Sequence, residues 1–546
     1  MSTDFTCSGM IVDVIGRRIF PGAITVSSGK IKSIKELETS DVSDQYILPG
    51  LVDAHIHIES SMLIPSEFAR LAVAHGTVAS VSDPHEIGNV LGKEGVNFMI
   101  RNGRQVPFKF YFGAPSCVPA TPFETTGAEI NVQDLDELLK RDEVKYLAEM
   151  MNFPGVLNHD PQIMEKIQTA KKYNKPVDGH APGLQGNEAK AYADAGISTD
   201  HECFTLEEAR DKLNSGMYIQ IREGSAAKNF ESLIPLLKDY PDKIMFCSDD
   251  KHPDELLSGH INQLVKRAVD YGYDLITALL PCTVNPHKHY KLQNGLLQKN
   301  DPADFIIIDN LDSFNILKTF IDGEMVAENG SSCISKVDSD IPNKFVESDI
   351  SLEDIQVDSS GGKLQVIDVK DGQLVTDRIW VDPLIKNGKI ESNTENDVLK
   401  LVVLNRYKKS TPSVGFIHNI GLKKGAIVST VAHDSHNIIA VGVEDRMILK
   451  AIKEIFNRKG GIGFLSEDES AFLSLPVAGI MTNKEGATVS REYKRIDALV
   501  KANGSKLSAP FMSLSFMSLL VIPSLKMSDL GLFDADNFSF TPLIKD

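Results

Sequence analysis

Two histidines that could bind a metal lie at the end of an apolar segment near the start of the chain. The run Leu51-Val52-Asp53-Ala54-His55-Ile56-His57 is typical of a β-strand. Side chains two residues apart on a strand point to the same face, so His55 and His57 would present two imidazoles to one side. Imidazole pairs suit divalent metals. A hydrogen-bonded pair at a strand edge is the alternative, and the rest of the chain must decide between them.

Further residues of the metal-ligand types follow later apolar segments. Eleven of the 14 histidines lie between His55 and His289, in less than half of the chain. Six ligand-type side chains at five strand ends are hard to attribute to chance. A carboxylate that bridges two cations, with two imidazoles on each side, would give a binuclear centre with room for a water molecule. The residues that form this predicted set are His55, His57, Glu149, His180, His201 and Asp249.

The elements that would position these side chains are eight apolar, β-rich segments, each followed by a helical pattern. They recur about every 28 residues between positions 49 and 295. This spacing predicts an α/β fold with a (β/α)₈ TIM-like barrel, in which catalytic residues lie at the carboxyl ends of the strands. The segments end near His57, Asp83, Gly113, Glu149, His180, His201, Arg222 and Asp249.

The regions on either side of the barrel have different patterns. Short alternating strands before the barrel and the β-branched strand 302–309 after it predict a small β-sandwich domain that the barrel splits. A polar stretch at 335–360 is typical of a linker. Later strands and two helices, 445–458 and 490–501, predict an additional C-terminal α+β domain. The predicted domains are 1–48 with 296–335, 49–295, and 336–546.

Composition limits the classes of partner. The 546 residues are 42% hydrophobic, which allows a large core, and carry a formal net charge of −18. Such an acidic chain argues against nucleic acid and against an anionic membrane as partners, because both need clustered basic residues. Six scattered cysteines without a Cys-x-x-Cys pair, and the lack of a signal-peptide pattern, predict a cytoplasmic protein. The apolar run 511–522 is too short to span a bilayer.

Several motifs together resemble one enzyme family. Residues 49–57 resemble the first-strand signature of the amidohydrolase superfamily. Other segments narrow the resemblance to its bacterial adenine deaminases, and the likeness extends over essentially the whole chain. These segments are 58–62, 82–87, 148–156, 177–182, 222–225, 246–252, 259–262, 432–437 and 510–516.

The resemblance implies hydrolytic deamination of adenine to hypoxanthine and ammonia, as in purine salvage, with a binuclear Mn²⁺ or Fe²⁺ centre. By this resemblance, His55 and His57 bind the more buried metal and His180 and His201 bind the second. Glu149 bridges the two metals. Asp249 contacts the first metal and moves protons, so Asp249 and Glu149 are the expected catalytic residues.

Some roles stay open at this point. Asp250 competes with Asp249, since neighbours on a strand point to opposite faces and only one could face the metals. Glu59 could orient His57, and Glu202 could orient His201. Candidate substrate residues are His85, which could equally be a core histidine, and Arg222, Glu223 and Ser225. A purely structural role is expected for His252, His260, His287 and His289.

The C-terminal region contains one more candidate, the pair His433 and His436. We favour a lid or a structural turn near the active site over a second metal site. Two departures from the family pattern, Tyr407 after Arg406 and the segment 281–286, bear on substrate preference and rate. Another aminopurine or a cyclic amide as substrate, and an inactive metal-barrel scaffold, are the alternative functions. The expected partners are a small purine and further copies of the chain, in a dimer or larger homo-oligomer.

Overall fold

Eight short parallel strands surround the predicted metal ligands. The computed structural model describes residues 4–545 and shows a mixed α/β structure. The first five strands form one curled parallel sheet and the last three form another; the parallel bridges Val177–Ile197 and Ile56–Asp249 join the two sheets at both edges. Each observed strand end lies within two residues of its predicted end. The strands are Leu51–Ile56, Thr77–Ser82, Lys109–Ala114, Val144–Met150, Val177–Gly179, Thr199–Asp200, Tyr218–Arg222 and Ile244–Cys247.

Helices cover the outside of these strands. Strands Leu51–Ile56 and Thr77–Ser82 are buried along their whole length, as expected for parallel strands that are covered on both faces. Asp160 caps one helix by accepting hydrogen bonds from two backbone N–H groups of its first turn. The helices are Pro65–Ala72, His85–Leu91, Lys93–Gly103, Val132–Leu139, Phe153–Leu157, Pro161–Lys172, Gly186–Asp194, Leu206–Asn214, Phe230–Leu233, Pro253–Ser258, Ile261–Asp270, Leu275–Leu279 and Val284–Tyr290.

One eight-stranded sheet combines strands that precede and follow, in sequence, the region of the eight parallel strands, which we call the barrel. Ile307 pairs with Ile47, so the chain enters and leaves the barrel through adjacent strands. The sheet is continuous, and its division into a two-layer sandwich stays a prediction. In spatial order its strands are Ser331–Ser332, Glu324–Glu328, Ile316–Ile321, Phe305–Ile308, Tyr46–Pro49, Phe5–Asp13, Arg18–Ser27 and Lys30–Glu36.

A second large sheet forms the centre of the C-terminal region. Residues 333–352 connect to it without a helix or strand. Helix Asp445–Arg458 buries its apolar face against this sheet, and helix Gly486–Ala502 contacts the barrel helix Pro253–Ser258. In spatial order the strands are Thr376–Val381, Lys363–Val369, Ser413–His418, Val398–Leu404, Ile438–Gly442, Ala426–Ser429, Gly461–Leu465 and Ser470–Ser474, with Ile544–Lys545 beside Lys363–Val369.

Smaller elements complete the C-terminal region. Two three-stranded sheets and the helix Pro510–Ser515 lie around the large sheet. Among residues 4–545, no helix has both the length and the apolar character that a membrane crossing requires. The strands of the small sheets are Val357–Asp358, Lys389–Glu391 and Leu384–Lys386, and Leu525–Ser528, Gly531–Asp534 and Ser539–Phe540.

Candidate active site

Glu149 lies at the centre of a group of histidines that come from three different strand ends. Its Oε2 is 3.0 Å from His180 Nδ1 and 3.1 Å from His201 Nε2. The same oxygen is 4.0 Å from His55 Nε2, whereas Oε1 is 3.4 Å from His57 Nε2. Oε2 therefore faces three of the histidines, and Oε1 faces the fourth.

Asp249 completes this group from the end of the eighth strand. Its Oδ1 is 3.5 Å from His55 Nε2 and 3.3 Å from His57 Nε2. The strand ends at Cys247, and Asp249 has a left-handed backbone with φ of 54°. Strand alternation therefore does not apply here, and Asp250 lines the same cavity while it accepts a hydrogen bond from Ser60 Oγ at 2.5 Å. Asp249 is the carboxylate directed at the histidine pair.

A backbone acceptor orients His57, one of the first histidine pair. His57 Nδ1 donates to the carbonyl oxygen of Asp83 at 3.2 Å, which turns Nε2 toward Glu149. Glu59, considered as an orienting partner of His57, instead accepts from the N–H of Ile87 at 3.2 Å.

Asp53 connects the first strand to the eighth below the cluster. It accepts from the N–H of Ser248 at 3.0 Å and from the Ser248 hydroxyl at 2.6 Å. His260 Nε2 donates to the same carboxylate at 2.8 Å, and its Nδ1 is 2.7 Å from Thr77 Oγ1. These contacts hold the strands that carry His55 and Asp249 in register.

The three other histidines expected to be structural have partners away from the cluster. His252 Nδ1 is 2.6 Å from the hydroxyl of Tyr493, and His289 Nε2 is 3.2 Å from Ser198 Oγ. His287 Nδ1 is 3.2 Å from Asn294 Oδ1.

The charges of neighbouring groups keep the central carboxylates ionised. Burial acts to raise the pKa of Glu149, but the positive charge and hydrogen bond of His180 hold that pKa well below its usual range. Burial likewise opposes ionisation of Asp249, and the nearby imidazoles of His55 and His57 lower its pKa. The pKa of Asp250 is raised by burial and by the charge of Asp249.

The buried nitrogen atoms fit a divalent metal centre. Both ring nitrogens of His55, Nε2 of His180 and Nδ1 of His201 have no hydrogen-bond partner within the described part of the chain, although all three rings are buried. Buried polar atoms are normally paired, so these orphans call for a ligand. Two groups, His55 with His57 and Asp249, and His55 with Glu149 and His201, each place their ligand atoms within 4.8 Å of one another. Imidazole and carboxylate donors suit Mn²⁺, Fe²⁺ or Zn²⁺.

Arg222 lies behind the cluster rather than in the cavity. Its side chain is 1% exposed, and Nη1 donates to Asp249 Oδ2 at 2.9 Å. Nη1 and Nη2 also pair with the two oxygens of Glu202, and Nη2 is 3.0 Å from Glu202 Oε2. Glu202 lines the cavity 3.6 Å from His201 Nε2. Arg222 therefore holds two acidic side chains of the site instead of facing a substrate.

The structure places the other candidate substrate residues in different surroundings. Glu223 pairs with Arg267 at 2.5 Å, and Ser225 Oγ donates to Glu255 at 3.2 Å, both outside the cavity. His85 does line the cavity, with Nδ1 3.3 Å from Glu149 Oε1.

Residues of the C-terminal region form the opposite wall of the cavity, which we call the roof. The roof and the cluster line one common cavity. The sequence indicated His433 as a candidate and contained Asp434 and Phe516 only within family-like segments. It gave no role to Glu86 on the barrel side, which lies in the helix that follows the second strand. The roof residues are Leu374, His433, Asp434, Phe516 and Leu519.

The loop 432–437 is attached to both parts of the molecule. His436 Nε2 pairs with Glu86 of the barrel, and Asn437 Nδ2 donates to the carbonyl oxygen of Thr125 at 2.9 Å. On the other side, the hydroxyl of Tyr407 donates to the carbonyl oxygen of Ser435 at 2.6 Å. Tyr407, a departure from the expected family pattern, thus supports the roof.

Comparisons with known proteins identify the family. Residues 46–326 match the model of the amidohydrolase family, and residues 373–539 match that of the adenine deaminase C-terminal domain. Adenine deaminases of Methanosarcina mazei and Salinibacter ruber are each 51% identical, over 98% and 99% of this chain and 99% of each relative. That of Sulfurovum sp. is 53% identical over 97% of this chain and 98% of the relative. The chain belongs to the adenine deaminase family.

Proposed function

We propose that this protein catalyses the hydrolytic deamination of adenine to hypoxanthine and ammonia. The observation that carries the proposal is the convergence of four histidines on Glu149 and Asp249 at the carboxyl ends of the parallel strands. Membership of the adenine deaminase family adds the substrate to this geometry.

The proposed centre holds two divalent cations, Mn²⁺ or Fe²⁺. His55, His57 and Asp249 would hold one, and His180 and His201 the other, with Glu149 between them. When bound, such cations act as Lewis acids that bring the pKa of water close to neutrality.

Asp249 is the proposed proton carrier. Its carboxylate is ionised, and its Oδ1 lies 3.5 Å from His55 Nε2 and 3.3 Å from His57 Nε2, where it could accept the proton that the attacking water loses. Arg222 occupies Oδ2, which leaves Oδ1, on the side of the histidines, for proton exchange. Return of this proton to the amino nitrogen at C6 lets it leave as ammonia rather than as the much poorer amide anion. The hydroxyl oxygen thus replaces nitrogen at C6, and hypoxanthine results.

The roof supplies the apolar surface that a flat heterocycle needs. Leu374, Phe516 and Leu519 line the cavity opposite the cluster. Burying adenine against them removes water from the reacting atoms, which strengthens every electrostatic interaction of the site.

The proposed architecture follows the sheets and their bridges. We assign the two parallel sheets to one (β/α)₈ barrel at 49–295, the mixed sheet to a split β-sandwich domain at 1–48 and 296–335, and residues 336–546 to an α+β domain. A homo-oligomer that works in cytoplasmic purine salvage completes the proposal, and light scattering of the purified protein tests the assembly.

Ammonia release after metal removal and readdition tests the function. The chelated protein should be inactive on adenine, and Mn²⁺ or Fe²⁺ should restore activity. Guanine, adenosine and a dihydropyrimidine, assayed in the same way, should give little ammonia. If one of them were turned over in preference to adenine, that compound would be the substrate instead. A purified chain with far less than one metal ion and no turnover after readdition would support the scaffold alternative.

A further inference from the structure

Two polar atoms of the roof have no hydrogen-bond partner among residues 4–545, although His433 Nε2 is 3.9 Å from Asp250 Oδ1. His433 Nε2 and Asp434 Oδ2 make no hydrogen bond with any described residue, and both side chains are about 97% buried. Leaving a buried donor or acceptor unpaired costs stability, so such atoms in a cavity are expected to pair with a water molecule or a ligand. The two residues are adjacent and offer one donor and one acceptor.

The neighbours of the two side chains keep them in place. His433 Nδ1 pairs with Glu86 Oε1, and Asp434 Oδ1 is 3.7 Å from His85 Nε2. Burial acts to lower the pKa of His433, but the negative charges of Glu86 and Asp250 raise it to about 9. Both ring nitrogens therefore carry protons at neutral pH, and Nε2–H is a donor.

The imidazole ring of His85 lies between the cluster and the roof. His85 spans the gap, with Nδ1 3.3 Å from Glu149 Oε1 and Nε2 3.7 Å from Asp434 Oδ1. The gap is therefore one imidazole ring plus a polar contact at each end. A purine that stands beside His85 with C6 at the cluster directs its opposite edge at Asp434. That edge carries N3, which lies across the six-membered ring from C6, and the adjacent N9.

We propose that Asp434 accepts a hydrogen bond from N9–H of the substrate and that His433 donates one to N3, so that the roof selects free purine bases over bases substituted at N9. The inference rests on the proposed function, because the orientation of the purine follows from attack at C6. A substituent at N9 removes the N–H that Asp434 accepts and directs its bulk at the roof.

A substrate–variant cycle tests this contact. We expect Asp434→Asn to lower kcat/KM for adenine by about tenfold or more, mainly through KM, because a charge-assisted hydrogen bond is lost. The same substitution should hardly change kcat/KM for 9-methyladenine, which has no N9–H to donate. The metal content should stay that of the unaltered protein. The matched control is Asp312→Asn, because Asp312 is exposed and far in sequence from the residues of the cavity. It should leave kcat/KM unchanged for both substrates.

Equal losses for adenine and 9-methyladenine in Asp434→Asn would overturn the proposal, since a structural role moves both alike. A second measurement uses the unaltered protein and does not depend on the folding of a variant. Purine should inhibit at least about tenfold more strongly than 9-methylpurine, and equal inhibition overturns the contact. No adenine turnover by the unaltered, metal-loaded protein would refute the proposed function instead.

Discussion

Arg222 offers the sharpest test of how the buried charges of the site depend on one another. Its guanidinium is 1% exposed and lies between Asp249 and Glu202. Arg222→Met keeps an unbranched side chain of similar reach but leaves two buried carboxylates without their cation. Breaking a buried ion pair by removing one partner costs about 3–5 kcal/mol, because the remaining charge stays desolvated. Turnover should also fall by about 10²-fold, since Asp249 loses the donor that fixes its orientation.

Arg267 provides the matched control for this substitution. It also pairs with acidic side chains, Glu223 at 2.5 Å and Glu231 at 2.7 Å, but its side chain is 33% exposed. Solvent-exposed ion pairs contribute only about 0–1 kcal/mol. Arg267→Met should therefore change stability little and leave turnover intact.

Urea unfolding followed by circular dichroism, at one fixed metal concentration, compares the two variants. Fixed metal is needed because a bound ion stabilises the folded state by mass action. We expect the Arg222→Met midpoint to lie clearly below that of Arg267→Met. Equal midpoints, or turnover of Arg222→Met within about threefold of the unaltered protein, would refute the reasoning that one buried cation supports both carboxylates.

Three further predictions concern proton transfer, the metal centre and pH. Asp249→Asn should keep its metal but lose about 10²–10⁴-fold in kcat, measured by ammonia release, whereas Asp250→Asn should lose less. A normal kcat for Asp249→Asn would contradict the assignment of Asp249 as proton carrier. Chelation should lower the thermal midpoint, and Mn²⁺ should restore it, because the centre binds metal only when folded; an unchanged midpoint would argue against metal binding at the cluster. Burial lowers the pKa of Lys526 from 10.5 to about 7. Between these two pH values the unfolded chain binds more protons at Lys526 than the folded protein does, so the stability should rise with pH. Lys526→Met should flatten this rise, which thermal unfolding at pH 7 and pH 9 would show.

The positions of the barrel strands could be predicted because each strand imposes a local pattern. Parallel strands covered on both faces need continuous apolar segments, and a polar residue marks the point where such a segment leaves the core. His57, His180 and His201 were therefore found at strand ends, as the structure confirms. The resemblance to the adenine deaminases is also confirmed by the matches over nearly the whole chain.

The role of Arg222 could not be predicted from its place at a strand end. Whether a side chain at that position faces the cavity or packs behind it depends on charges from neighbouring strands, here Asp249 and Glu202. The same holds for Asp250, which lines the cavity beside Asp249, a residue with a left-handed backbone. The assignment of the metal ligands themselves stays a prediction.

Local order along the chain was enough to indicate the strands, the histidine-rich cluster and the family, because hydrophobic periodicity and short motifs are properties of neighbouring residues. The roof could not be predicted from such local patterns. Glu86 and His436 are 350 positions apart, and their contact exists only after the C-terminal region has packed on the barrel. Which polar atoms then stay unpaired, as in Asp434, is settled by that packing, since burial and partners arise from the whole fold.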